Sequence, residues 1–188
     1  IVPVLKQLFK SDHFFDDDII GVNIKSPIEM MLTFMKDGAF SYDNQVLAGT
    51  QYYGSLLGQE ILNPVDVAGW QGDHLWINSS TLTGRWLISE YFIGWIYQNF
   101  QAELQNLALS IVGDTNDPAL ATQKIIDYFL PRGLQTPAEY AQATTVFKWE
   151  VPQNYYDQGL WDTGWSTMPA QVYYLLIHIV HTPEFQLN

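Results

Sequence analysis

The sequence predicts an all-α fold, an irregular helical bundle with long loops rich in Gly, Trp and Tyr. Three observations carry that expectation: helix starts are spelled repeatedly as hydroxyl-Pro-x-Glu, long stretches are apolar at helical spacing, and strand-like alternation is nearly absent. With 188 residues, 47% of them hydrophobic, the chain is sized for one domain over residues 1–188 that buries its own core without metals or disulfides.

The opening IVPVLKQLFKSDHFF has apolar residues at helical spacing and no initiator Met, so it reads as the start of a C-terminal fragment of a longer protein. Asp16–Asp18 reads as a solvated turn, because it lacks the alternating oxygen ligands and closing Glu of an EF-hand loop. Ser26-Pro27-Ile28-Glu29 starts a helix: the serine hydroxyl caps free N–H groups, proline sits where its missing donor costs nothing, and Glu29 completes a capping box. Its apolar residues cover most of the circumference, so the helix is expected to be largely buried and to stop at a left-handed Gly38. The run NQVLAGTQYYGSLL is expected to end in the same way at Gly58.

A third helix starts near Ser79 or Ser80 and is apolar nearly all round, which places it at the centre of the bundle. Whether QAELQNLALSIV continues it or begins anew is left open by the sequence. Asp117-Pro118 caps the next helix, Thr136-Pro137-Ala138-Glu139 the one after, and AQVYYLLIHIV forms the last. TTVFKW alternates weakly, as β-branched residues at a helix end also do. EVPQNYYDQGLWDTGWSTMP has neither period and reads as a long packed loop. VLKQLFKSDHFF and YLLIHIVHTPEF echo each other, an apolar helix followed by Ser/Thr-x-x-Phe, with the hydroxyl expected to cap the next turn.

Charge and composition exclude several partner classes. A net charge of −12 repels a phosphate backbone, so nucleic acid is not an expected partner. Apolar runs such as YYLLIHIV fall short of the roughly 20 residues of a spanning helix, so no membrane insertion is expected. With no cysteine, chemistry must come from oxygen, imidazole or indole. No nucleophile elbow, phosphate loop or His-Glu-x-x-His motif is present, and no cofactor is expected.

Three segments, IKSPIEMM, LGQEILNPVDVAGWQGDHLWINSSTLTGRW and HTPEFQLN, resemble the C-terminal part of DUF1800, a large bacterial family of unknown function. The matching positions are Lys25, Ser26, Pro27 and Glu29, then Gly58 and Gln59, then Pro64, Val67, Gly69 and Trp70, then Trp76, Asn78, Ser79 and Arg85. Asn63 and Ala68 depart from it, the second where the family carries a lysine, which puts any role for a cation in that loop in doubt. The resemblance implies a helical, usually exported protein longer than this chain, often encoded beside another exported family, and it assigns no reaction. The implied partners are that neighbouring protein or the missing N-terminal part of the same protein; a glycan is the partner that the tryptophans of the 63–86 stretch suggest instead.

The candidate binding loop comprises Asp66, Trp70, Asp73, His74, Trp76, Asn78 and Arg85, with Lys25, Ser26 and Glu29 as a structural motif. Indole faces stack on sugars but serve equally as core anchors, and Gly69 and Gly72 around Trp70 favour a turn that tucks the ring inward, its N–H finding a carbonyl. Arg85 falls near a helix start, where the dipole disfavours a cation, so a carboxylate partner is expected from Asp66, Asp73, Glu29 or Glu90. Lys25 and Arg85 together are an alternative anion site. Asp66, Asp73 and His74 are proper metal ligands in type but match no strong spacing, and His13, His178 and His181 read as turn or boundary residues. Two functional readings follow: a non-catalytic binding or assembly domain of an exported bacterial protein, or a carbohydrate hydrolase using a carboxylate pair such as Glu29 with Asp66.

Overall fold

The Pro-led helix caps read from the sequence at Ser26, Asp117 and Thr136 form as expected. The computed structural model describes residues 1–188 as nine α-helices with no strand: α1 (Val2–Leu8), α2 (Pro27–Asp37), α3 (Asn44–Leu56), α4 (Ser79–Asn99), α5 (Gln101–Val112), α6 (Pro118–Phe129), α7 (Pro137–Lys148), α8 (Gln153–Asp157) and α9 (Met168–Val180). Ser26 and Glu29 close a reciprocal capping box on α2, and Thr136 and Glu139 do the same on α7. Asp117 accepts from Ala119 and Leu120 N–H at the start of α6. No helix is long and apolar enough to cross a membrane.

The centre of the bundle is α9, not α4 as the sequence suggests. It packs on α4, α5 and α7 and touches α6, and Val172, Leu175, Leu176 and Val180 lose all solvent contact. Helix α4 is buried along one side only, through Ile88, Phe92, Ile93 and Ile96, while Leu87 and Tyr91 remain 60% and 57% exposed. Its all-round apolar pattern is therefore a core stripe plus an uncovered apolar stripe. The open question after Asn99 is resolved by Phe100, whose φ of −138° and ψ of 46° break the helix and start α5. The ring then packs 5.1 Å from Trp95.

Helix α3 does end at a left-handed Gly58, with Gln59 N–H returning to the Gly54 carbonyl at 2.8 Å. Gly38 differs from expectation: its backbone stays right-handed (φ −71°), and the positive φ falls on Ala39. Glycine is required there because Phe40 folds back over it, leaving no room for a Cβ. The loop after α7 contains the short α8 and is otherwise irregular, as its aperiodic sequence implies.

The paired Ser/Thr-x-x-Phe segments share one local solution, though not the expected one. Ser11 and Thr182 donate back to the Leu8 and Ile179 carbonyls at 2.7 Å instead of capping forward, and a 3-10 turn follows each. Phe185 then enters the core while Phe14 stays exposed, and no residue of α1 is buried.

Candidate functional site

Arg85 projects from α4 into a site with no solvent contact, and its partners are not carboxylates. Its Nη2 donates to the Lys25 carbonyl at 2.6 Å, its Nη1 to the Gln186 side-chain oxygen at 3.0 Å and to the Met30 sulfur at 3.6 Å, and its Nε has no acceptor. Asp66, Asp73, Glu29 and Glu90 are all engaged elsewhere, so the expected ion pair does not form. The side-chain contacts between basic and acidic residues are instead Arg132–Asp18, His74–Asp73 and His181–Glu90. Desolvation lowers the Arg85 guanidinium to about 10, which still leaves it charged near neutral pH.

Lys25 lies beside this cation, 4% exposed, donating from Nζ to the Phe185 carbonyl at 2.9 Å and standing 4.8 Å over the Phe185 ring. Burial lowers its pKa, against the opposing pull of Asp37 and Glu29. Backbone pairing completes the clasp: Lys25 N–H reaches the Gln186 carbonyl and Asn188 N–H the Asn23 carbonyl, each at 2.8 Å. Gln186 also donates to the Val180 carbonyl at 3.2 Å. Lys25 and Arg85 thus hold the tail after α9 through its oxygen atoms, and of the guanidinium nitrogens of Arg85 only Nε is left without an acceptor.

Glu29 caps α2 and accepts from the Asn188 amide. Asp66 closes its own turn on Ala68 N–H at 2.7 Å. Asn78 caps α4, accepting from Ser80 and Thr81 N–H at 2.9 and 3.0 Å. Asp73 takes a strained φ of 58° in open solvent, and His74 beside it is 89% exposed. Nowhere do three His, Asp or Glu side chains come together as metal ligands would. Trp76 is buried at 7% exposure, whereas Trp70 is half-buried and its indole N–H, shielded from solvent, finds no acceptor. Ahead of these rings the loop stands in solvent, with Leu62, Val65 and Val67 all above 80% exposed.

A family model described as "Protein of unknown function (DUF1800)" matches residues 1–187. The chain belongs to this family. No curated protein and no solved structure matches it. The three segments that carry the DUF1800 resemblance converge on one place: Lys25, Arg85 and the tail form the clasp, and Gln59 accepts from Ile28 N–H at 2.8 Å, satisfying a free donor in the first turn of α2. In this member of DUF1800 those motif residues tie the N-terminal turn of α2, the start of α4 and the chain's tail together.

Two features lay outside the sequence reading. Gln171, fully buried at the start of α9, accepts from Trp161 Nε1 and Thr167 Oγ1 and donates to the Phe147 carbonyl and the Tyr156 hydroxyl, all between 2.9 and 3.2 Å. An aromatic groove runs between α3 and α4, a hollow of about 380 Å³ walled by Gly49, Tyr52, Tyr53, Tyr91 and Trp95. The signal for the groove was present as the surplus of apolar residues around α4. For Gln171 the sequence offers no signal, because its partners come from three separate segments.

Proposed function

We propose that this chain is a non-catalytic helical binding or assembly domain of an exported bacterial protein. The observation that carries this reading is the amount of apolar surface left uncovered in a few contiguous places: the first 22 residues, the 61–75 loop and the α3–α4 groove. Uncovered apolar area of this kind marks contact surfaces. Partners consistent with it are a glycan, stacked on the groove's aromatic faces, another exported protein encoded nearby, or the N-terminal part of a longer chain. The hydrolase reading draws no support from the geometry. Glu29 and Asp66 are each occupied by backbone N–H groups, and none of the five principal cavities is lined by Trp70, Trp76 or either carboxylate.

The experiment pairs a hydrolysis screen over a polysaccharide panel with calorimetric titration of the same glycans and of the neighbouring exported protein. Binding without turnover is expected, weakened at least tenfold by Tyr91→Asp. Turnover abolished by Glu29→Gln or Asp66→Asn overturns the proposal.

A further inference from the structure

The hollow between α3 and α4 combines two kinds of surface. The first is a set of ring faces. Tyr52 on α3 and Tyr91 on α4 stand 61% and 57% exposed, and the half-buried Tyr53 lies 5.3 Å from the first ring and 5.9 Å from the second. Trp95, one turn beyond Tyr91 on the same helix, adds a fourth ring, which packs 5.1 Å from Phe100. Each of the four thus rests against a neighbouring ring, and aromatic side chains held in this way lose little freedom when a ligand arrives.

The second kind of surface is polar and neutral. The phenol hydroxyls of Tyr52, Tyr53 and Tyr91, the carboxamide of Gln45 and the indole N–H of Trp95 make no hydrogen bond within the chain. Although the rings of Tyr53 and Trp95 are half-buried, the polar atom of each still reaches solvent. No residue lining the hollow carries a charge.

Together these surfaces select among occupants. With no lining cation or carboxylate, nothing offsets the desolvation of an ionic ligand, and the net charge of −12 repels an acidic one at longer range. An apolar helix face or an acyl chain would cover the uncommitted neutral groups and satisfy none of them, at a cost for each. A sugar ring meets both surfaces. Its C–H face lies on an aromatic ring while its hydroxyls, each a donor and an acceptor, reach the phenol, amide and indole groups.

We propose that the α3–α4 hollow binds an uncharged oligosaccharide, one sugar stacked on Tyr91 and a neighbouring sugar on Tyr52, with Gln45 and the Trp95 N–H hydrogen-bonding to their hydroxyls. The inference rests on the binding reading above, chooses one of its partners and names the surface. Two exposed stacking faces make a disaccharide the smallest ligand that uses the whole site. The volume of about 380 Å³ falls in the range of roughly 300–1,000 Å³ typical of small-ligand sites.

Gly49 allows a test that leaves every ring in place. It lines the hollow from within α3, and a Cβ added there would come no closer than 3.8 Å to the Tyr53 ring. A longer side chain at this position fills the hollow, and replacing a glycine inside a helix favours the helix, so the fold is expected to hold.

Calorimetric titration uses cellohexaose, maltohexaose, mannohexaose and N-acetylchitohexaose as uncharged probes and hexagalacturonate as the acidic one. At least one uncharged probe is expected to bind, weakened at least tenfold by Tyr52→Ala, by Tyr91→Ala and by Gly49→Met, with the helical circular dichroism unchanged in each. Hexagalacturonate is expected not to bind. No binding of any uncharged probe at millimolar concentration, binding that survives Gly49→Met, or equal binding of hexagalacturonate overturns the proposal. An exported protein that binds where none of the sugars does refutes the glycan site and leaves the binding function standing, whereas hydrolysis abolished by Glu29→Gln or Asp66→Asn refutes the function whatever the hollow holds.

Discussion

Two connectors in this chain look alike on paper and behave oppositely in space. Residues 59–78 and 149–167 are both aperiodic and rich in Trp and Gly. The second is anchored through its middle: Trp161 is wholly buried with its N–H on Gln171, and Thr163 is buried with its hydroxyl on the Gly113 carbonyl at 2.8 Å. The first is anchored at its ends, through Gln59 and Trp76, and between them Val65 and Val67 face water. Indole content does not separate the two. What separates them is a buried polar partner that satisfies each donor as the ring goes in, which Gln171 supplies to Trp161 and nothing supplies to Trp70.

The comparison breaks most visibly at its strongest point. Trp161→Ala removes a fully buried indole packed 5.9 Å from the Phe147 ring and leaves Gln171 Oε1 short of a donor. A loss of about 3–5 kcal/mol is expected for a Trp-to-Ala cavity, read as a lowered denaturation midpoint. Arg85→Met comes next. It removes a desolvated charge but strips donors from the Lys25 carbonyl and Gln186, so a loss of about 2–4 kcal/mol is expected, since each orphaned buried acceptor costs about 1–3. Hydrogen exchange checks the location: residues 182–188 should lose protection while 161–163 keep it. Equal loss in both regions means that the tail is not what Arg85 holds.

Helix positions were legible in the sequence because capping and periodicity are local. Ser26-Pro27-Ile28-Glu29 and Asp117-Pro118 name their helices without reference to anything distant. The centre of the bundle was not legible. Helices α4 and α9 are both apolar on most sides, and periodicity cannot tell a helix surrounded by its own chain from one with a face left over. Arg85 shows the same limit. Its burial was foreseeable from its place in an apolar helix, but its partners are a backbone carbonyl and the neutral side chains of Gln186 and Met30, which no charge pattern in the sequence marks. The clasp residues were named in advance only because the DUF1800 resemblance picked them out.

A smaller substitution tests the other connector. Trp70→Phe deletes a buried N–H that has no acceptor while keeping an aromatic ring, so stability should rise or hold, by up to about 1 kcal/mol, where the same change at Trp161 destabilises. Opposite signs for two Trp→Phe changes, measured by denaturant titration, sharpen the contrast. The same sign for both removes it.

The smallest effect is expected from pH, and it again divides the two ends of α9. At the Gln171 end the phenol of Tyr156 is pushed up by burial to about 12, far from the physiological range. Near the tail, burial and then the neighbouring His181 lower His178 below the usual 6.5, while His181 itself contacts Glu90 at 2.6 Å. A base whose folded pKa is depressed takes up its proton first in the unfolded chain. The His178 contribution is therefore present above pH 6.5, declines as the pH falls through 6.5 towards the lower folded value, and is fully lost below that. His178→Gln should flatten this part of the stability profile, with acid-induced exchange starting in residues 178–188 before 161–171. Acid sensitivity that is unchanged in His178→Gln, or that begins around Trp161, assigns it to other groups.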